Sequence, residues 1–163
     1  MILGMSTATY TFLHVLISLV GIGSGLIVMF GFLTARQLNG MTGIFLVTTV
    51  LTSVTGFGFP FDHLLPSHMV GIISLLVLAV AIPARYLFHL TGAWRWIYVV
   101  TAAIALYLNV FVLTVQLFEK LPALKALAPT QKEPPFLVAQ LIVMAIFVAL
   151  TIVAARRFHI QPV

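Results

Sequence analysis

Residues 9–33 read TYTFLHVLISLVGIGSGLIVMFGFL, with no Asp, Glu, Lys or Arg among them. About 20 mostly apolar residues are enough for an α-helix to cross a bilayer, and this run is longer. The residues from Met1 to Leu13 contain no Lys or Arg. A cleavable signal needs a basic segment before a short apolar core, so the run reads as a retained first helix. Four further runs of the same kind follow, at 41–59, 67–89, 94–118 and 135–155. Arg36 follows the first run, and Pro60 ends the second. Pro83 and Arg85 lie near the end of the third, where Pro83 should loosen the last turn. Trp94-Arg95-Trp96 opens the fourth run and Arg156-Arg157 closes the fifth, residue types that favour the headgroup level.

The composition agrees with that reading. Of 163 residues, 62% are hydrophobic and 7% charged, against about 25% charged in soluble domains. So little charge cannot cover a surface facing water, and a mean hydropathy of +1.20 points the same way. In lipid, backbone polar groups must be satisfied within the protein, which leaves helices or a closed barrel. Barrel strands alternate apolar and polar residues, whereas these runs are unbroken. The fold class expected is therefore all-α: a polytopic transmembrane helical bundle of about five spans, forming a single membrane domain over residues 1–163. The absence of cysteine removes disulfides and thiolate sites. The formal net charge of +5 is too scattered for a nucleic-acid surface.

The charge is more informative about orientation. With five spans, Arg36, Arg85, Arg95, Arg156 and Arg157 fall on one side. Lys120, Lys125 and Lys132 fall on the other, in the longer loop 119–134 that also holds Glu119 and Glu133. Basic residues favour the cytoplasm, so the amino terminus is expected outside and the carboxyl terminus inside. Pro122, Pro129 and Pro134 punctuate that loop, with room for a short interfacial helix over 121–127.

Polar residues within lipid are costly and mark packing contacts or sites. On the first run His14, Ser18, Gly21 and Gly25 share one helical face. Gly21 and Gly25 form a GxxxG, for which close helix packing is the favoured reading. The second run carries Thr48, Thr49, Thr52, Ser53 and Thr55, whose hydroxyls can return to the carbonyl of the preceding turn. The fourth has a stripe through Thr101, Ala105, Asn109, Val112, Gln116 and Glu119. The fifth has Gln140, Met144, Phe147 and Thr151. At 1.5 Å rise per residue, His14 and Gln140 lie roughly 7 Å below the outer boundary and Asn109 roughly 13 Å. His14, Asn109, Gln116 and Gln140 are the candidate ligand- or cofactor-binding residues. They imply a polar pocket open to the outside.

Over the same end lies the loop Phe59-Pro60-Phe61-Asp62-His63-Leu64-Leu65-Pro66-Ser67-His68. Asp62, His63 and His68 are the candidate metal ligands, since carboxylate with imidazole suits Zn, Cu or non-haem Fe. His14 with a second imidazole is a candidate pair for haem b. The bland alternative is that Asp62 caps a turn while His63 and His68 sit in water. No phosphate loop, nucleophile elbow or HExxH is present, so the sequence leans away from an enzyme.

The segment from Asn109 through Gln116 and Lys120, then Leu127-Ala-Pro-Thr130 and Glu133-Pro-Pro-Phe136, resembles a small group of uncharacterised bacterial inner-membrane proteins. The resemblance covers about the last third of the chain. It implies a bacterial inner (cytoplasmic) membrane and carries no activity across. The function expected is a binding or accessory subunit in the lipid bilayer, partnered by other membrane subunits or by copies of itself. A haem- or metal-binding redox protein and a small-solute transporter are the alternatives.

Overall fold

The computed structural model describes residues 1–61, 63 and 65–159. Among these the chain is helical, with no β-strand. Six helices follow one another: α1 (Thr7–Leu33), α2 (Asn39–Gly56), α3 (Pro66–Tyr86), α4 (Trp94–Lys120), α5 (Pro122–Leu127) and α6 (Pro134–Arg157). The five apolar runs each become one long helix, and α5 is the short helix expected in the loop. Asp62 lies outside the described residues.

The helix starts follow from local chemistry. Ser6 caps α1 by accepting from the Thr9 backbone N–H at 3.1 Å. Helices α3, α5 and α6 each begin with proline, whose missing N–H costs nothing in the first turn and whose φ is already helical. Pro83 sits inside α3, and the helix stops one turn later.

Side-chain contacts fix how the helices run. His14, early in α1, meets Thr55, late in α2. Arg85, at the end of α3, reaches Asn39, at the start of α2. Arg95, at the start of α4, binds carbonyls at the end of α6. Successive long helices are therefore antiparallel. One end of the bundle gathers the end of α1, the start of α2, the end of α3, the start of α4 and the end of α6. This is the arginine end. The other end carries loop 119–134 with α5.

The core between them is apolar, centred on Phe45, Leu78, Leu106 and Tyr98, all essentially without exposure. At the arginine end Phe32 packs edge-on to Tyr98 at 5.5 Å and against Phe158 at 4.9 Å. The outside is just as apolar. Phe12, Phe30 and Leu76 are 61–66% exposed. A continuous apolar exterior of this kind is stable in lipid and not in water.

Four helices are long and apolar enough to cross a membrane: α1, α3, α4 and α6. Helix α2 is the shorter and more polar exception, because six Thr and Ser residues lie within it. Its 18 residues rise roughly 27 Å, close to the ~30 Å hydrocarbon thickness.

Candidate functional site

At the end opposite the arginines, α1 and α2 are locked by a small polar and aromatic cluster. The Tyr10 hydroxyl donates to the Thr55 carbonyl at 2.7 Å. His14 Nδ1 lies 2.8 Å from Thr55 Oγ1. Phe59 stands edge-on to both rings, at 5.1 and 5.2 Å. The Thr55 hydroxyl donates to the Leu51 carbonyl at 2.6 Å. Its one proton is used there, so its lone pair accepts from His14 Nδ1–H. In the neutral ring this leaves the Nε2 lone pair of His14 free.

His68 has the opposite arrangement. It is 3% exposed, at the start of α3, and does not sit in water. Its Nδ1 accepts from the Leu65 backbone N–H at 3.0 Å, so the neutral ring carries its proton on Nε2. Phe57 stacks on it at 5.6 Å and Phe61 covers it at 4.2 Å. A metal-bound histidine normally donates its other ring N–H to a neighbour. His14 satisfies that requirement and His68 does not. His63 is exposed. Among the described residues no three His, Asp or Glu side chains come together as a metal site.

The deeper amides tie helices together. Asn109 Nδ2 on α4 donates to Thr49 Oγ1 on α2 at 3.2 Å. Gln140 Nε2 on α6 donates to the Phe111 carbonyl on α4 at 3.3 Å, while its Oε1 is buried without a partner. Gln116 is half-buried on α4. Its neighbour Val115 offers its carbonyl to Gln131 Nε2, which holds the α5–α6 connection onto α4. The hydroxyls of Thr48, Ser53 and Thr55 return to the preceding turn as their spacing suggests. Thr52 Oγ1 is buried without a partner.

Two features escape a reading of single polar residues. Tyr10 lies one turn before His14 on the same face, so extending that stripe by four residues reaches it. The second feature is an apolar groove of about 240 Å³ between α4 and α6. It is lined by Ala103, Ile104 and Tyr107 on one side and by Met144, Phe147, Val148, Thr151 and Ile152 on the other. Its mostly apolar lining looks like ordinary core in sequence, and only the separation of the two helices reveals it.

At the arginine end Arg85 is half-buried, with its guanidinium 5.4 Å from the Tyr98 ring and 5.6 Å from that of Tyr86. Arg95 is bound by the carbonyls of Ala155 and Phe158, which satisfies the open end of α6. No protein-family model, curated protein or solved structure matches this chain.

Proposed function

We propose that this chain crosses a bacterial cytoplasmic membrane five times, amino terminus outside, as a binding or accessory subunit. The observation behind this reading is how the polar side chains within the helices are used. His14–Thr55, Asn109–Thr49 and Gln140–Phe111 join α1 to α2, α2 to α4 and α4 to α6. Such bonds make a fixed scaffold. The scaffold holds the His14 cluster at the outer end and leaves broad apolar faces for lipid and neighbouring subunits.

The chain has no cysteine, so single cysteines report topology directly. With a membrane-impermeant maleimide added to intact cells, Ser6→Cys and Lys132→Cys should label, and Thr91→Cys only after permeabilisation. Labelling of Thr91→Cys in intact cells would overturn the orientation. Blue-native electrophoresis after mild solubilisation tests the subunit role. A bare monomer without partner, bound lipid or ligand would refute it.

A second reading, haem or metal binding at the outer end, is favoured by one observation: His14 holds its Nδ1–H on Thr55 and presents a free Nε2 lone pair. An absorption spectrum and metal analysis of the purified protein test it. A Soret band or stoichiometric metal lost in His14→Ala would support it. A featureless spectrum with no metal would sink it.

A further inference from the structure

Beyond the α4–α6 groove, the stripes of residues that line it extend along each helix toward the arginine end. On α6, Met144, Val148 and Ile152 line the groove, and the next residue at the same spacing of four is Arg156. Residues four apart lie one above another on a helix, so Arg156 closes the stripe. It is exposed. On α4 the stripe runs from Tyr107 through Ile104 and Val100 to Trp96, which is 49% exposed. Arg95 is already taken by the Ala155 and Phe158 carbonyls, whereas Arg156 donates no hydrogen bond to the described residues. The sequence holds no Asp or Glu from 63 to 118 or from 134 to 163, so α3, α4 and α6 offer it no carboxylate at this end. Arg157 lies about 100° round the helix and off the stripe.

We infer that this groove is a binding site for one anionic phospholipid, its acyl chain lying between α4 and α6 and its phosphate on Arg156 beside Trp96. The inference rests on the membrane-spanning reading above. Length supports it: from Met144 to Arg156 is roughly 18 Å along the helix, and one leaflet's hydrocarbon is roughly 15 Å deep. Charge supports it as well, because basic residues between helix ends attract anionic headgroups. Aromatic side chains such as Trp96 favour the headgroup level.

Native mass spectrometry of the full chain in detergent tests this, titrating phosphatidylglycerol against phosphatidylethanolamine with matched acyl chains. The wild type should prefer phosphatidylglycerol by about fivefold, the effect of one arginine at an anionic headgroup. Arg156→Gln should abolish that preference, and Arg157→Gln should keep it. Val148→Trp, at an exposed groove position, should weaken both lipids together. Equal binding of the two lipids by the wild type, or equal effects of the two arginine variants, would overturn the site. Should Val148→Trp fail to fold, the arginine pair, both on exposed residues, still decides. Alkaline carbonate extraction separates this from the parent reading. Protein that stays with the membrane but shows no lipid preference rejects the lipid site alone. Release by carbonate rejects both.

Discussion

Helices α1 and α2 meet as a tight pair, and helices α4 and α6 as a loose one. In the first, small residues bring the backbones close. A methyl group added at Gly21 would stand 3.1 Å from Thr48 Oγ1 of α2, and one added at Gly25 would stand 2.8 Å from the Phe45 ring of α2 and 2.6 Å from Leu106 Cδ1 of α4. Tyr10 and His14 then bond across to Thr55. In the second pair Gln140 and Arg95 bond across the contact to backbone carbonyls, a groove opens beside it, and only 17% of the most apolar part of α6 is buried, against 44% of α1. Both pairs come from apolar runs of similar length. What separates them is the placement of glycine and hydroxyl residues, because lipid provides no hydrophobic drive to bring helices together. Packing and hydrogen bonds must do that work; both pairs carry interhelical hydrogen bonds, and what differs is how much of each helix is packed away.

The largest effect is expected at Gly25, where α1 packs closely against side chains of both α2 and α4. Gly25→Ala forces the Phe45 ring, which is 1% exposed, out of its packed position. Overpacking of this kind costs about 1–3 kcal/mol. Gly23→Ala, on the same helix with nothing within 4 Å of the new methyl, should instead gain about 0.5–1 kcal/mol from helix propensity. Unfolding of the two variants in detergent, followed by circular dichroism, should shift in opposite directions. Equal shifts would mean that the close approach at Gly25 contributes nothing to stability.

Next in size is the polar lock. Thr55→Val removes the acceptor of His14 Nδ1 while keeping the side-chain shape. Interhelical hydrogen bonds in membranes average about 0.6 kcal/mol and reach about 1.7, so a loss in that range is expected. The ¹⁵N shifts of His14 give an independent reading. The wild type should show a protonated Nδ1, and the variant a mixture of tautomers. A protonated Nε2 in the wild type would reverse the assignment and remove the basis for ligand binding through that atom.

Much of this architecture is legible in the sequence. The five runs end at or within three residues of the observed long helices, since apolar length, Pro at helix starts and Arg at helix ends are local signals. The stripe through His14, Gly21 and Gly25 correctly marks the face of α1 that meets α2, because periodicity carries that information. Partners are a different matter. Asn109 and Gln140 must each find a bond, but which group across the bundle supplies it depends on crossing geometry. His68 illustrates the same gap. Its environment is set by Phe57 and Phe61, which precede α3 in the chain, and nothing at position 68 itself distinguishes a solvated imidazole from a caged one. The groove is invisible for a related reason: a space between two apolar helices leaves no polar mark.

On the loose side the polar tie should matter less. Gln140 is 8% exposed, and its Nε2 bond to Phe111 is long at 3.3 Å, while its Oε1 is buried without a partner. Gln140→Leu loses the first and relieves the second. A net bond of about 1 kcal/mol is set against the cost of a buried orphan of about 1–3 kcal/mol, so stability should hold or rise. Asn109→Leu, which leaves Thr49 without its donor, should lower stability by about 0.6 kcal/mol. If Gln140→Leu proves the more damaging of the two, α6 depends on that amide and the two pairs are held in similar ways.

The smallest effect belongs to the loop that leads from α4 into α6. The Glu133 carboxylate accepts from the Thr130 hydroxyl at 2.8 Å and from the backbone N–H groups of Thr130 and Lys132. These bonds, the Thr130 hydroxyl foremost, hold its carboxyl below the usual range. A carboxyl lowered in the folded state contributes stability that is present above its unfolded value. That contribution fades as pH falls through the folded value. The turn should therefore be tightest at neutral pH and loosen in acid. Because all of these partners lie within three residues of Glu133, the change should stay local. Hydrogen exchange at the amides of Thr130 and Lys132 should speed up below about pH 4, near and below the ordinary glutamate value, once intrinsic exchange rates are corrected for. Glu133→Gln should show the faster exchange already at neutral pH. The amides near Thr55 in the tight pair should not respond in this range, since no carboxylate among the described residues partners them. A matching acid response there would mean that loop 119–134 and the α1–α2 lock open together, and that the two pairs are one cooperative unit.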